Sequence, residues 1–276
     1  MRGVWRLQKL VRDLVSEDRF PSPHDPVAIA LREVFAGGIA GLRPAYTYGV
    51  LRAAHTARAL GVRSIWVAEF GVAAGGGLIS LGKTAEIASK RYGVDIEVVG
   101  FDTGVGLPRP TEPGDAPFAF EAGDFAMDFD KLQADLRPNT RLVLGDVRSS
   151  VAEFMKSTTS PLGFASNDLD YYTSTMASLL PIVDAESGKL LPRVVMYFDD
   201  LIGYPYTTES AEWAAIRDLN ATHPKRPIGL NYGLRWHVGA PFDREPWPEL
   251  IYTLEVRDHP DFGRSERSAS GPLSLT

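Results

Sequence analysis

Two acidic groups in the second half of the chain, Asp168-Leu169-Asp170 and Asp199-Asp200, are of a type and spacing that could do chemistry. Each follows a short apolar run, LGFASND at Leu162–Asp168 and RVVMYFD at Arg193–Asp199, of the kind that forms a buried parallel strand. In a doubly wound sheet these two strand ends are neighbours, so up to four carboxylates crowd one rim. Uncompensated, such charges raise one another's pKa values, and one carboxyl keeps its proton. A divalent cation removes the conflict, and hard oxygen donors without nearby cysteine favour Mg²⁺ or a similar ion. A metal there could bind two oxygens of an acceptor and lower the pKa of a hydroxyl, while a free carboxylate takes the proton. Capping of the next helix by Asp168 and a turn at Asp199-Asp200 are the purely structural uses of the same residues.

Three earlier strand ends suit a nucleoside ligand. The first is Glu69-Phe70-Gly71-Val72-Ala73-Ala74-Gly75-Gly76-Gly77, a glycine turn between a strand and a helix. Gly71 and Gly75 would let backbone approach a ligand, and the helix that follows aims free N–H groups at negative charge. An acid at Glu69 repels a pyrophosphate but suits an aminoacyl ligand carrying a positive amine. The turn lacks the G-x-G-x-x-G spacing of dinucleotide sites and the Lys-Ser/Thr of a P-loop, which disfavours an NAD-linked oxidoreductase. Asp102, closing the next strand, can accept hydrogen bonds from both ribose hydroxyls or simply make a turn. Asp146, closing RLVLGD, can reach an adenine edge or cap the helix expected from Ser149.

The elements that position these residues are legible from periodicity. Strands are expected at Ile65–Phe70, Ile96–Asp102, Arg141–Asp146, Leu162–Asp168 and Arg193–Asp199, with two more at Ile228–Trp236 and Leu250–Val256. Helices alternate with them, which predicts an α/β, doubly wound, mostly parallel seven-stranded sheet. Residues 1–44 form a helical N-terminal extension, 1–262 a single domain, and 263–276 a disordered tail. The connection from Thr103 to Met127 is long for its place and carries Phe118, Phe120 and Phe125; a lid and a packing surface for the N-terminal helices are equal readings.

Composition narrows the classes of partner. The net charge is −6 and no Lys/Arg run occurs, so nucleic acid is not an expected partner. There is no cysteine, which excludes disulfides, thiolate catalysis and Cys-ligated zinc. No apolar stretch approaches the ~20 residues of a membrane span, and Met1–Asp18 lacks the form of a signal peptide. A cytoplasmic protein is expected, and the amphipathic first helix allows a homodimer. His237, His55, Tyr171 and Tyr172 are secondary candidates, with core or surface roles as the alternatives.

EFGVAAGGG resembles the first S-adenosylmethionine (SAM) motif of Rossmann-like class I methyltransferases. FDTGVGLP, followed by DLDYYTST, YFDD and AAIRDLN, is similar to segments of the macrocin O-methyltransferase family, and the likeness spans roughly Val67 to Trp236. That resemblance implies a SAM- and Mg²⁺-dependent O-methyltransferase acting on a small-molecule hydroxyl. It implies that Asp168, Asp199 and Asp200 bind the metal and that Asp170 is the general base. The family usually has Asp-Gly-Asp where this chain has Asp168-Leu169-Asp170. A nucleotide-binding scaffold or sensor without methyl transfer is the competing reading, because fold alone does not decide function.

Overall fold

A computed structural model describes residues 25–266. Helix α1 (Pro26–Ala36) starts where the Asp25 side chain accepts from the Val27 amide and Pro26 fills a first-turn position that needs no donor. Helix α2 (Pro44–Leu60) begins on another proline and stops at Gly61, which takes the left-handed conformation. The winding then alternates through β1 (Ser64–Phe70), α3 (Gly76–Tyr92), β2 (Asp95–Asp102), α4 (Phe129–Asp135) and β3 (Thr140–Leu144). It continues through α5 (Val147–Ser157), β4 (Leu162–Asn167), α6 (Tyr172–Val183), β5 (Leu190–Phe198) and α7 (Ala211–Thr222). The last elements are β6 (Ile228–Leu230), α8 (Leu234–Val238) and β7 (Ile251–Glu255).

The seven strands form one sheet in the order β3-β2-β1-β4-β5-β7-β6, with β7 antiparallel to both of its neighbours. The chain leaves β1 toward one edge and returns beside it as β4, so the switch in strand order lies between them. Register decides what emerges there. Phe70 pairs with Asn167, and Asn167 with Phe198. The residues that follow, Gly71, Asp168 and Asp199, therefore leave the sheet side by side. Backbone bonds carry the alignment one residue further: the Asp168 amide donates to Phe70 and the Asp199 amide to Asn167, at 2.9 and 3.0 Å.

The central strands β1, β4 and β5 are buried on both faces, as their composition requires. Trp66, Phe70, Phe101, Phe164 and Phe198 are fully buried within the sheet, and Trp66 meets Phe154 of α5 edge-on at 4.7 Å. Helix α2 packs across β4 and β5.

Some boundaries differ from the sequence-based expectation. The strand expected over Ile228–Trp236 ends at Leu230, because Gly233 at φ 80° turns the chain into α8 and carries Trp236 and His237 onto that helix. Strands β3, β4 and β5 end before Asp146, Asp168 and Asp199, leaving those aspartates as loop residues. The ordered chain also runs past Gly263, since Glu266 holds Arg193 at 2.7 Å. The expected helix at Met1–Asp18 and the stretch 267–276 lie outside the described residues. No described helix is long and apolar enough to cross a membrane.

Close approach of α2 to the sheet depends on Gly49, where an added Cβ would lie 2.2 Å from the Phe164 ring. Gly49→Ala should destabilise the fold by about 1–3 kcal/mol. Urea denaturation should show a lower midpoint with an unchanged slope.

Candidate functional site

Beyond the carboxyl ends of β1, β2, β4 and β5 lies a cavity of about 430 Å³, within the range of small-molecule sites. One end is formed by Gly71, Ala73, Asp102 and Asp146, the other by Asp168, Asp170, Asp199, Asp200 and Tyr206. Leu107, Pro108, Phe120 and Phe125 of the long connection supply apolar walls. That connection is held at Asp115, which is fully buried and accepts from the amides of Thr111, Glu112 and Thr173 and from the Thr173 hydroxyl. Its aromatic arm therefore reaches the cavity while its middle is bound to the start of α6.

At the acidic end, carboxylate oxygens of Asp168, Asp199 and Asp200 lie within 4.8 Å of one another. Burial raises the Asp168 carboxyl to about 9, with Asp199, Asp200 and Glu69 adding to the shift. Burial and then Asp170 raise Asp200 to about 7. Mutual repulsion of this kind, around oxygen donors alone, suits a hard divalent cation.

The loop from Asp168 to Tyr171 explains why leucine is compatible with this site. Asp170, not Leu169, takes positive φ at 59°, a conformation that aspartate tolerates better than most residues. Leu169 packs into the core. The Asp170 amide donates to Asp200 at 2.9 Å and its Oδ1 accepts from the Tyr206 hydroxyl at 2.8 Å. Burial raises the Asp170 pKa, against the Tyr206 bond.

The glycine turn is built differently from the expectation. Gly71, at φ 82°, would place a Cβ 1.8 Å from the Asp168 carbonyl, so the two loops touch backbone to backbone. Gly75 does not line the cavity. It caps α3 at φ 83° and would drive a Cβ to 2.1 Å from Leu132 of α4, so the need for glycine there comes from packing and backbone conformation. Glu69 also lies behind the turn, 1% exposed, where its Oε1 accepts from the Tyr46 hydroxyl at 2.8 Å and its Oε2 has no partner among the described residues. Burial pushes its carboxyl up to about 8.

Asp102 lines the cavity, yet most of its carboxylate is already used. Oδ2 accepts from the Val72 and Ala73 amides and Oδ1 from Gly104, which leaves one acceptor position, on Oδ1, instead of the two-hydroxyl grip expected. Asp146 caps α5 by accepting from Arg148 and also lines the cavity.

With this geometry in hand, comparison with known proteins is informative about the fold. No family model and no curated protein matches the sequence. Among solved structures, the chain is similar to CalS11, a calicheamicin methyltransferase, at 24% identity and a TM-score of 0.51, covering 75% of this chain and 77% of that one. An apo structure of CalS11, named as a TDP-rhamnose 3'-O-methyltransferase of calicheamicin biosynthesis, matches at 23% identity and a TM-score of 0.43 over the same shares. The shared feature is the α/β, Rossmann-like fold with its seven-stranded sheet.

On this fold, several site residues carry no motif that sequence reasoning singled out. Tyr206 reaches Asp170 from the loop after β5, and fully buried Glu212 of α7 accepts from the Asp200 amide at 2.9 Å. Tyr197, inside YFDD, donates to Asp199 at 2.5 Å and could have been found from that motif. The secondary candidates lie elsewhere. His237 pairs with Asp25, half-buried His55 stacks edge-on with Tyr92, Tyr171 is buried, and Tyr172 donates to Asp218. None of the four lines the cavity. Phe118 is 70% exposed and lies near Tyr204, outside it.

Raised carboxyl pKa values have a definite consequence for stability. Glu69 and Asp168 bind protons in the folded state up to pH of about 8 and 9, but in the unfolded chain only up to the ordinary carboxylate range. Their contribution is full below that range and is lost as pH rises through the folded values. In the presence of a chelator, the melting temperature should fall between pH 6 and pH 9, and Asp168→Asn should flatten that fall. A melting temperature that climbs over this interval would contradict the electrostatic assignment.

Proposed function

We propose that this chain is a SAM-dependent O-methyltransferase acting on a hydroxyl of a small molecule, such as a sugar or another natural product, with Mg²⁺ as a second cofactor. The observation that carries this reading is a single cavity with the glycine turn, Asp102 and Asp146 at one end and the convergent Asp168, Asp199 and Asp200 at the other. Methyl transfer is also the activity for which the similar CalS11 structure is named.

The residues present fit both groups. For SAM, the turn from Gly71 to Ala73 would take the sulfonium region and Asp102 a ribose hydroxyl, with Asp146 toward the adenine. The orphaned, buried Glu69 Oε2 is suited to the ammonium group. For the metal, Asp168, Asp199 and Asp200 offer hard anionic oxygens that repel one another without it. When bound, the ion supplies positive charge that lowers the pKa of an acceptor hydroxyl.

Asp170 takes the proton of that hydroxyl. Its carboxylate lines the cavity beside the triad, and Tyr206 holds one oxygen so that the other faces the acceptor side. A pKa raised by burial brings this carboxylate nearer to the working pH, where a general base is most effective. When bound, SAM would supply the methyl group for the oxygen so prepared and would leave as S-adenosylhomocysteine. Phe120, Phe125, Leu107 and Pro108 exclude water from that end of the cavity.

Calorimetry with SAM, with and without Mg²⁺, together with detection of S-adenosylhomocysteine release over a panel of hydroxylated acceptors, tests the proposal. Asp170→Asn should keep SAM and Mg²⁺ binding while turnover falls by ~10²–10⁴-fold. Asp168→Asn should weaken Mg²⁺ binding first. Joint loss of metal affinity and turnover in the Asp170 variant would make it a ligand instead. SAM binding without any turnover would favour a scaffold or sensor, and failure to bind SAM would overturn the reading.

A further inference from the structure

Behind the glycine turn lies a charged network that the proposed chemistry leaves unused. Arg43, the residue before α2, is accessible to solvent, and its guanidinium sits over the Tyr46 ring with the carbon 5.1 Å from the centroid. Nη1 donates to the Tyr46 hydroxyl at 3.1 Å, and that hydroxyl donates in turn to Glu69 Oε1 at 2.8 Å while accepting from Ser166. Nη2 lies 3.7 Å from where a Cβ on Gly76 would stand, which sets the guanidinium beside the first residue of α3. The Arg43 amide donates to Ser80 of α3 at 2.8 Å, so the backbone that carries the side chain is tied to the same helix.

Three features of this place are matched to a zwitterion. The Oε2 of Glu69 is buried without a partner and is an anion site waiting for a cationic group. The first turn of α3, a helix of 17 residues, carries free amide donors and the positive end of its dipole. The guanidinium adds a full charge and further donors beside that turn, because only one of its nitrogens is committed to Tyr46. Burial works against the Arg43 charge, while the Tyr46 oxygen, Glu69 and Asp168, the last a residue of the cavity wall, favour it.

We infer that Arg43 and the first turn of α3 bind the carboxylate of the cofactor's aminoacyl group while Glu69 binds its ammonium. The helical segment before β1 thereby contributes a cofactor-binding residue. This assignment rests on the proposed SAM site and deepens it. Arg43 is a binding residue, not a catalytic one: a charge-assisted pair with the carboxylate would fix the aminoacyl end and, through it, the direction of the sulfur–methyl bond.

Decarboxylated SAM keeps the ammonium, sulfonium and adenosine but lacks the carboxylate, so it separates this role from a structural one. Calorimetry should be run with SAM and with decarboxylated SAM on the whole chain and on Arg43→Gln and Arg43→Lys. The Gln variant should lose about 10–100-fold in affinity for SAM and less than about 3-fold for decarboxylated SAM. The Lys variant should recover part of the SAM affinity. Equal loss for both ligands would mean that Arg43 only supports Tyr46 and Glu69, and unchanged SAM affinity would place the carboxylate elsewhere; either overturns the inference. Absence of binding by both ligands to the unaltered chain would instead overturn the proposed cofactor site itself, and this assignment with it.

Discussion

Like-charge crowding at the carboxyl edge of the sheet is the constraint around which the site is arranged. Glu69, Asp168, Asp170, Asp199, Asp200 and Glu212 come from four separate segments, and two of them are fully withdrawn from water. Such a set is tolerated only where each group finds hydrogen-bond donors, a proton or a counter-charge. All three devices are present. Tyr46, Tyr197 and Tyr206 donate to Glu69, Asp199 and Asp170; the backbone amides of Asp170 and Asp200 donate to Asp200 and Glu212; raised pKa values keep protons on the rest. Three tyrosine hydroxyls around one acidic rim supply neutral donors, which support carboxylates without cancelling the field that attracts a cation.

The turn after β1 and the loop after β4 form one unit. Gly71 must be glycine because the Asp168 carbonyl occupies the space of its side chain, and Leu169 packs close to the same glycine. The contact fixes the distance between the glycine-turn end and the acidic end of the cavity. Helix α4 and α2 brace the unit from outside, through Leu132 against Gly75 and through Tyr46 against Glu69. Preorganisation of this kind is what in-line group transfer needs, since the reacting atoms must be held near their attack geometry.

Most of the fold was legible because apolar runs, glycines and prolines punctuate the chain cleanly from Pro26 onward. The strand ends at Phe70, Asp102, Asn167 and Phe198 fall within a residue of where periodicity alone puts them. The late stretch was misread for a physical reason: Ile228–Trp236 is apolar enough for a strand, but Gly233 takes a positive φ and turns it into a helix. At the site, the acidic cluster was readable because its members end neighbouring strands. What escaped was contributed by partners distant in sequence. The Tyr206 bond to Asp170 spans 36 positions and the Tyr46 bond to Glu69 spans 23, and neither has a local spacing signal. The role of Gly75 was likewise hidden, since a glycine required by a leucine on another helix looks the same in sequence as one required by a ligand.

The buried carboxylate of Asp115 has a mechanical meaning for the stretch between β2 and α4. Clamped at that point to α6, the connection is not one free loop of its full length. Its two halves are also bonded to each other, the Leu107 amide to Asp124 and the Gly123 amide to Leu107, so the stretch carrying Phe120 and Phe125 is braced against the one carrying Leu107 and Pro108. The entropic cost of fixing a loop grows with its length, so each such tie lowers the cost of holding the cavity walls in place. The apolar walls of the cavity thus form a tied frame, fixed to α6 at one point and to each other at another.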